Sequence, residues 1–472
     1  MEKVLRYVCL AAFLAAAPLS TTAQDVFTND TAIKTFLRDN FEGKNCGMVI
    51  GLLDEHGGRI FSAGRSDNGT DQEVNGDTIF EIGSITKTFT ALLLLDMVEC
   101  GEMNLDDPVA KYLPKSVKVP AYAGKEITLL NLAAQDSGLP FNPSNFSSKD
   151  LARAYDTYTV DDMYAFLSGF TLPGDPGTKF QYSNLGMSLL GHVMELKSGT
   201  NFESLVVNRI CRPLRLDSTC ITLAPELRAR AAVGHDESGR RVSDYKLQVM
   251  APAGSLHSTV NDLLKYLSAN LGLTSNSLSP LMEKMQVIRH RGGFPESGTT
   301  AMPWMDEGVY NPPGTELLGH GGGTFGSRSF IAFDKKKRRG VVVLKNQLGG
   351  IRSGEVAWRI LQNAPLNGVD AGTLTAVHEY VGSGVALGVD KQTSTVRITK
   401  VLPNTPASQA GLTAGLIVQK IDDIPTAGKS IESCASLIRG EAGTAVRLEL
   451  VNPERLETNR VELTRQKFLI GS

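Results

Sequence analysis

Phe89, Ala91, Leu92, Leu93, Leu94, Leu95 and Met97 form an almost unbroken apolar run, which predicts a helix buried on all sides. Gly83 and Ser84 stand just before it, after a strand-like stretch at 78–82. Elsewhere the apolar positions fall into two periods. Leu185, Leu189, Val193 and Leu196 make one helical face, and Leu263, Leu264 and Leu267 another. Residues 47–53 and 59–62, on either side of the turn 54–58, read as a β-hairpin, and so do 329–333 and 340–344 around the basic turn 334–338. An antiparallel sheet assembled from both ends of a domain, with a large helical insertion between them, follows from this order. The fold class expected is α/β (α+β).

The pattern changes after Gln362. Residues 363–372 are polar and glycine-containing, as a linker would be. Beyond Val377 short apolar strands recur at 396–398, 416–418, 446–450 and 460–463, with one short helix near 431–438. A chain of 472 residues suggests two or three domains. The division expected is a leader at 1–23, a first domain at 24–365, and a linker with a small, mostly β domain at 366–472.

Composition narrows this picture. A hydrophobic share of 42% and a charged share of 21% are those of a globular protein. The 48 basic and 50 acidic residues leave a net charge of −2 with no basic block, which argues against nucleic acid as a partner. Lys3 and Arg6, the apolar run 8–17 and the small residues Thr21, Thr22 and Ala23 read as a cleaved secretory signal. That run is too short to span a bilayer, and Cys9 sits inside it rather than at the cleavage point, so no transmembrane or lipid anchor is expected. A periplasmic or secreted location follows. Five cysteines remain after cleavage in a compartment that permits disulfides. Cys211 and Cys220, bracketing 212–214, are the expected bridge, while Cys46, Cys100 and Cys434 read as small buried hydrophobes.

The chemistry starts at Ser84 and Lys87. Residues three apart on a helix share a face, with Cβ atoms about 5 to 6 Å apart, so a hydroxyl and an amine at this spacing can exchange a proton. An ordinary helix N-cap is the plainer reading of Ser84. The same Ser-x-x-Lys spacing recurs at Ser243 and Lys246, but without the strand before it or the apolar helix after it. Tyr182, with Asn184 two residues on, follows the turn-rich stretch 172–177; a phenol beside a lysine ammonium loses its proton more readily than usual, which suits a proton shuttle. A ring packed in a loop is the alternative. His320, Gly321, Gly322 and Gly323 precede a strand, where bare N–H groups can donate to a developing oxyanion. Gly321, Gly323 and Gly326 also fit G-x-G-x-x-G, but a strand follows rather than a helix, so no dinucleotide site is expected. No serine has the nucleophile-elbow pattern. His192 and Glu195 share a helix face but lack a third ligand, and read as a solvated face. No metal and no cofactor are called for.

Taken in order, Ser84/Lys87, Tyr182/Asn184 and His320/Gly322 resemble the serine β-lactamase and penicillin-binding peptidase superfamily, and more narrowly its branch of class C β-lactamases, D-alanyl-D-alanine carboxypeptidases and esterases. The resemblance covers roughly 28–362 and takes in 127–130, 137–140, 252–254 and 258–259. It implies an antiparallel sheet with helices on both faces and a helical subdomain. It also implies that Ser84 attacks a carbonyl and forms an acyl-enzyme, with Lys87 as base, Tyr182 passing a proton to the leaving group and Asn184 orienting Lys87 and the substrate amide. The oxyanion hole implied is the pair of N–H groups of Ser84 and Gly323. One departure is chemical: the family's third motif is typically Lys-Thr-Gly, whose lysine faces the substrate carboxylate, and here His320 takes that place. Weak β-lactam turnover is expected, with a D-amino-acid peptide or an ester preferred. Arg328 is the residue that would restore the cation, with a surface arginine as the plainer reading. A class C-like β-lactamase is the alternative function, and a weakly catalytic penicillin-binding-like receptor or scaffold another. Substrate selection is expected to depend on loops around Phe146 and Trp304.

Residues 403–412 and 415–417, with the helix before Arg439 and Gly440, resemble bacterial PDZ domains over roughly 377–465. Such domains add a peptide strand to a sheet edge and hold its carboxylate in a glycine-rich loop, which here would be Gly384, Val385, Ala386 and Leu387. Ala386 stands where glycine is usual and Leu416 where aspartate is common. A peptide or protein partner is one reading of this part, and a packing or dimerisation role the other.

Overall fold

The computed structural model describes residues 26–471 apart from 68, 244–245, 292–298, 307–316, 368, 370–376, 391–392, 394, 402–404, 428, 430–433, 435–436, 439–442 and 454–456. The leader read at 1–23 lies outside the described residues, as do 403–404, most of the short helix at 431–438, and Arg439 and Gly440.

The sheet expected from the two hairpins forms, and its ends meet. Gly47–Asp54 (β1) and Gly57–Gly64 (β2) make the first hairpin. Leu317–Gly323 (β3), Arg328–Asp334 (β4) and Arg339–Lys345 (β5) make an antiparallel meander, and β5 closes on β1 with Val343 opposite Ile50. The order is β2-β1-β5-β4-β3, extended by the two-residue strands Met305–Asp306, Thr299–Thr300 and His290–Arg291. Successive side chains on a strand point to opposite faces, and β1 is apolar on both. Met48, Ile50 and Leu52 join one core with Val341 and Val343, whereas Val49 and Leu53 join the other with Val342 and Leu344.

Helices cover both faces, as the resemblance implies. Asp30–Phe41 (α1) packs on β2 and contributes Ile33, Phe36, Leu37 and Phe41 to the first core. Thr86–Glu99 (α2), Asn184–Ser198 (α3) and Val260–Asn270 (α4) lie in the second, larger one, and Ser353–Leu361 (α5) returns to the first with Val356, Trp358 and Ile360. Leu366 and Val369 are buried in that same core, so the first unit's packing runs a few residues past Gln362. The apolar run behaves as its pattern predicts: every residue of α2 from Thr86 to Leu95 is buried. Its three buried threonines escape the cost of an unpaired hydroxyl by bonding backbone carbonyls: Thr86 to Gly83 (2.7 Å), Thr88 to Ile85 (2.8 Å) and Thr90 to Pro252 (2.7 Å).

Some expectations are corrected. All five described cysteines are free thiols, so Cys211 and Cys220 form no bridge; Cys211 packs in the helical core, while Cys220 exchanges backbone bonds with His257. Cys100 is exposed, because α2 has just ended and its amide turns back to Asp96. The strand before Ser84 shortens to Phe80–Glu81, paired with His257–Ser258. His192 is buried rather than solvated, 2.7 Å from the Tyr164 hydroxyl, and Glu195 accepts from the Phe202 amide.

The C-terminal part has its own core of Val396, Ile398, Ala407, Val418, Ile421, Val446, Leu448 and Leu450. Its strands run in the order Val385–Val389, Val396–Val401, Ile417–Ile421, Ala445–Asn452 and Glu457–Thr464, with Ile424–Pro425 beside the third. Val385–Val389 is therefore an edge strand among the described residues. No helix among the described residues is long and apolar enough to cross a membrane.

Candidate active site

Ser84 does not cap the helix. It sits in a 3-10 turn, Gly83–Ile85, that runs directly into α2, and no side chain caps either element. The turn is held from three sides: the Ile82 amide bonds Leu256 O (2.9 Å), Ile82 O accepts the Ser329 hydroxyl of β4 (2.8 Å), and the Leu256 amide donates to Thr86 Oγ1 (3.1 Å). Gly83 has φ +50°, a region L side chains rarely adopt. The backbone of Gly323 passes so close that a Cβ on Gly83 would stand 2.6 Å from its nitrogen.

One turn on, Lys87 points back at the serine. Its Nζ is 2.9 Å from Ser84 Oγ and donates to Ala253 O at 2.6 Å. The residue is fully buried, and that burial holds its amine well below the ordinary lysine range. The positive end of α2 acts in the same direction. A neutral amine keeps its lone pair, which is what a base facing a hydroxyl needs.

Tyr182 lies across from this pair, with Lys87 Nζ 4.8 Å from the centre of its ring. Here the structure departs from the expected easing of the phenol's ionisation. Burial raises Tyr182 above its ordinary range, hydrogen bonding with Ser84 offsets part of the rise, and Tyr155 adds to it. The reason is burial, which disfavours the phenolate, while the lysine meets the face of the ring. Asn184, at the start of α3, turns its amide to Asn142 Oδ1 (3.1 Å) and the Tyr155 hydroxyl (3.4 Å). It donates to the wall of the pocket, and the second partner of Lys87 is instead the Ala253 carbonyl.

His320 lies on β3 beneath the pocket and is 1% exposed. Its Nδ1 is 2.7 Å from Gly321 O, and its ring centre is 6.2 Å from that of Tyr182. Burial, with the nearby Lys87 adding to it and Gly321 O opposing it, pushes His320 down to about 3. It is neutral at any ordinary pH. Gly322 packs against Ile82 O, where a Cβ would stand 2.0 Å away. Gly323, last in β3, opposes Arg328 and faces the cavity beside Ser84.

That cavity, of about 360 Å³, is walled by Ser84, Asn142, Asn184, Gly323 and Thr324 on its polar side and by Phe141, Leu151, Leu247, Met250 and Phe325 on its apolar side. Tyr155, Ala253, Gly254 and Arg328 complete it. Of the loops expected to shape it, the one around Phe146 does so through Phe141 and Asn142, whereas Trp304 lies away from it. Phe146 packs edge-on against Tyr155 and Tyr158 behind the wall, and Trp304 is fully buried against Tyr266 and Phe333. The missed residues Asn142 and Tyr155 carried no spacing signal, since they reach Asn184 from loop and helix segments some 30 to 40 positions away. Ala253 lay within the stretch 252–254 already singled out, and its contribution is a backbone carbonyl.

The second candidate site is on the C-terminal part. Gly384 has φ +87°, and a Cβ there would stand 2.2 Å from Thr405 Oγ1, so glycine lets this loop close on the Thr405 cap of Pro406–Gln409. Val385, Ala386 and Leu387 follow in the edge strand, which shifts register between Ala386 and Leu387. Among the described residues no group of three His, Cys, Asp or Glu is placed to hold a metal.

Comparison with known proteins meets this geometry. A family model described as Beta-lactamase matches residues 37–365, and one described as PDZ domain matches 397–452. A β-lactamase of Escherichia coli K12 is 28% identical over 384 residues, covering 75% of this chain and 98% of that protein. The D-alanyl-D-alanine-carboxypeptidase/endopeptidase AmpH of the same strain is 28% identical over 242 residues, 51% of this chain and 62% of that protein, so the match spans less than two thirds of this relative. Among solved structures, the D-alanine carboxypeptidase AmpC of Burkholderia cenocepacia superposes with a TM-score of 0.57 at 26% identity, over 72% of this chain and 98% of that one. A class C β-lactamase from Rhodobacter sphaeroides shares the fold, with a TM-score of 0.59 at 24% identity over 71% and 97%.

Proposed function

Because the chain belongs to the β-lactamase family of serine hydrolases, we propose that it cleaves an amide or ester through an acyl-enzyme on Ser84, taking a D-amino-acid peptide or ester in preference to a β-lactam. The observation that carries this reading is the 2.9 Å contact between Ser84 Oγ and the amine of a fully buried lysine.

Ser84 Oγ bonds to the carbonyl carbon while its proton moves to the neutral Lys87 Nζ, and the carbonyl oxygen becomes an oxyanion facing the N–H groups of Ser84 and Gly323. When the bond to the leaving group breaks, the Tyr182 hydroxyl gives it a proton and is reprotonated by Lys87. The raised Tyr182 phenol suits it to this donor role, since it is fully protonated before the reaction. Water then hydrolyses the ester to Ser84 with the same groups acting in reverse. Asn184 supports the wall through Asn142 and Tyr155.

The preference follows from His320. Neutral and 1% exposed, it offers no cation where the family's lysine meets the carboxylate of a rigid fused ring. An open-chain substrate can turn to satisfy its charged groups elsewhere. We further propose that residues 24–365 form the hydrolase unit, that the leader at 1–23 exports the protein to the periplasm or beyond, and that the PDZ-like part within 366–472 receives an extended peptide or protein segment along Val385–Val389, with Gly384 to Leu387 at the carboxylate end.

Intact-mass analysis after exposure to a fluorophosphonate and to a penicillin tests the acylation. One adduct per chain, absent in Ser84→Ala, is expected, followed by turnover of a D-alanyl peptide or ester faster than of a cephalosporin. Cephalosporin turnover at least equal to that of the peptide and ester overturns the preference, and an adduct that survives Ser84→Ala overturns the nucleophile.

A further inference from the structure

Behind the wall of the pocket one contact is made twice. Tyr155 and Tyr158, three residues apart at the end of the helix Leu151–Thr157 and just past it, donate their hydroxyls to Asn142 Oδ1 (2.9 Å) and Asn145 Oδ1 (3.0 Å). The Phe146 ring stands edge-on to both tyrosines, at 5.2 and 5.1 Å. The loop that carries Phe141 and Asn142 into the cavity is thus fastened at two points, and one of the two reaches into the site. There, Asn142 Oδ1 also accepts from Asn184 Nδ2 (3.1 Å), and the same nitrogen donates to the Tyr155 hydroxyl (3.4 Å), so the three polar atoms close a triangle. At the other point Asn145 gives its amide to the Asp162 carbonyl (2.8 Å), in the helix Val160–Gly169.

From this triangle we propose that Tyr155 is a positioning residue of the hydrolase, whose hydroxyl sets the directions in which the amides of Asn142 and Asn184 face the acyl part of a substrate. The proposal rests on the acyl-enzyme reading above. A side-chain amide has a donor end and an acceptor end of nearly the same shape, so its direction is set by its partners. Burial raises the Tyr155 phenol above its ordinary range, with the two amides offsetting part of the rise, so the hydroxyl keeps its single proton. That proton goes to Asn142 Oδ1, and the phenol oxygen is then able to accept from Asn184. Asn142 therefore has its acceptor committed to the wall and its Nδ2 left for the cavity, while Asn184 has its nitrogen committed and its carbonyl turned away from the wall. Such a donor and acceptor, side by side, match a peptide group, which offers one C=O and one N–H. Without the hydroxyl either amide is free to turn over, and the pocket loses that polarity.

Two p-nitrophenyl esters with the same leaving group provide the test: that of N-acetyl-D-alanine, and that of O-acetyl-D-lactate, in which an oxygen replaces the N–H of the acyl part. kcat/KM for each is measured on the full chain and on Tyr155→Phe, Asn142→Leu and Tyr158→Phe, with rates normalised to the sites titrated by a fluorophosphonate. The parent should prefer the amide-bearing ester by about tenfold, the size expected of neutral hydrogen bonds gained on binding. That preference should fall to within about threefold of unity in Tyr155→Phe, which removes the hydroxyl, and in Asn142→Leu, which removes the oxygen it holds. Tyr158→Phe loses the same kind of bond from the same loop and should keep the parent preference. Absolute rates should fall in both tyrosine variants, because Phe141 on that loop stacks on Tyr182 at 5.8 Å, so the ratio carries the test. An equal loss of preference in the two tyrosine variants makes Tyr155 a structural clamp alone and overturns the proposal. A preference unchanged in Tyr155→Phe or Asn142→Leu, or a parent ratio near unity, overturns it too and leaves the acyl-enzyme intact. A parent that takes no fluorophosphonate label and hydrolyses neither ester overturns both readings together.

Discussion

Replacing Gly83 by alanine should separate the two tasks of the turn before Ser84. The first is conformational: with φ at +50°, an alanine pays about 1 to 2 kcal/mol for the left-handed backbone. The second is spatial. The new Cβ would stand 2.6 Å from Gly323 N and 2.8 Å from Gly323 O, both backbone atoms that cannot swing aside as a side chain would. Ordinary contact needs roughly 0.8 Å more, so the turn and the end of β3 must part by about that much. Those two strands of backbone carry the two proposed oxyanion donors, and a misplacement of about 1 Å in such a constellation costs on the order of a hundredfold in rate. The expected result for Gly83→Ala is therefore a kcat/KM on a chromogenic ester lowered about a hundredfold, with a melting temperature lowered by only a few degrees. Gly101→Ala is the control. It sits just beyond the far end of α2 with φ +71° and nothing within 4 Å of its Cβ, so it pays the backbone term without the clash. Activity of Gly83→Ala within threefold of the parent, or equal losses in the two variants, would refute the claim that this contact sets the oxyanion geometry.

Three further outcomes follow from the buried groups. Lys87→Met should abolish acylation and yet stabilise the fold: a lysine held below its ordinary range in the native state binds fewer protons than in the unfolded chain, so parent stability rises with pH up to the unfolded value near 10.5, and urea melts at pH 7 and pH 10 should show that rise in the parent and lose it in the variant. The same depressed lysine makes kcat/KM of the parent fall on the acid side only, as the base becomes protonated. His320, pushed down to about 3, should show no ring-proton titration by NMR between pH 8 and pH 5, and a midpoint near 6.5 would contradict its placement beneath the pocket.

The sheet could be read from the sequence because β1 and β5 are apolar on both faces and each adjoins a polar turn, 54–58 or 334–338, so each hairpin was visible locally and only one arrangement buries both. The serine and lysine were legible for the same kind of reason: two residues three apart, on a turn that runs straight into a helix, are a local fact. What escaped was carried by the backbone or by distant loops. The second partner of Lys87 is a carbonyl, which every residue possesses, so nothing marked Ala253 by type. Asn184 was expected to orient the lysine because the family resemblance implies it, but its amide goes to Asn142 and Tyr155. Trp304 looked like a pocket residue and proved to be core, since a large ring beside Tyr266 and Phe333 is better used there. The direction of the Tyr182 shift was misjudged because a spacing argument supplies proximity without burial, and burial of the phenol outweighs its neighbours.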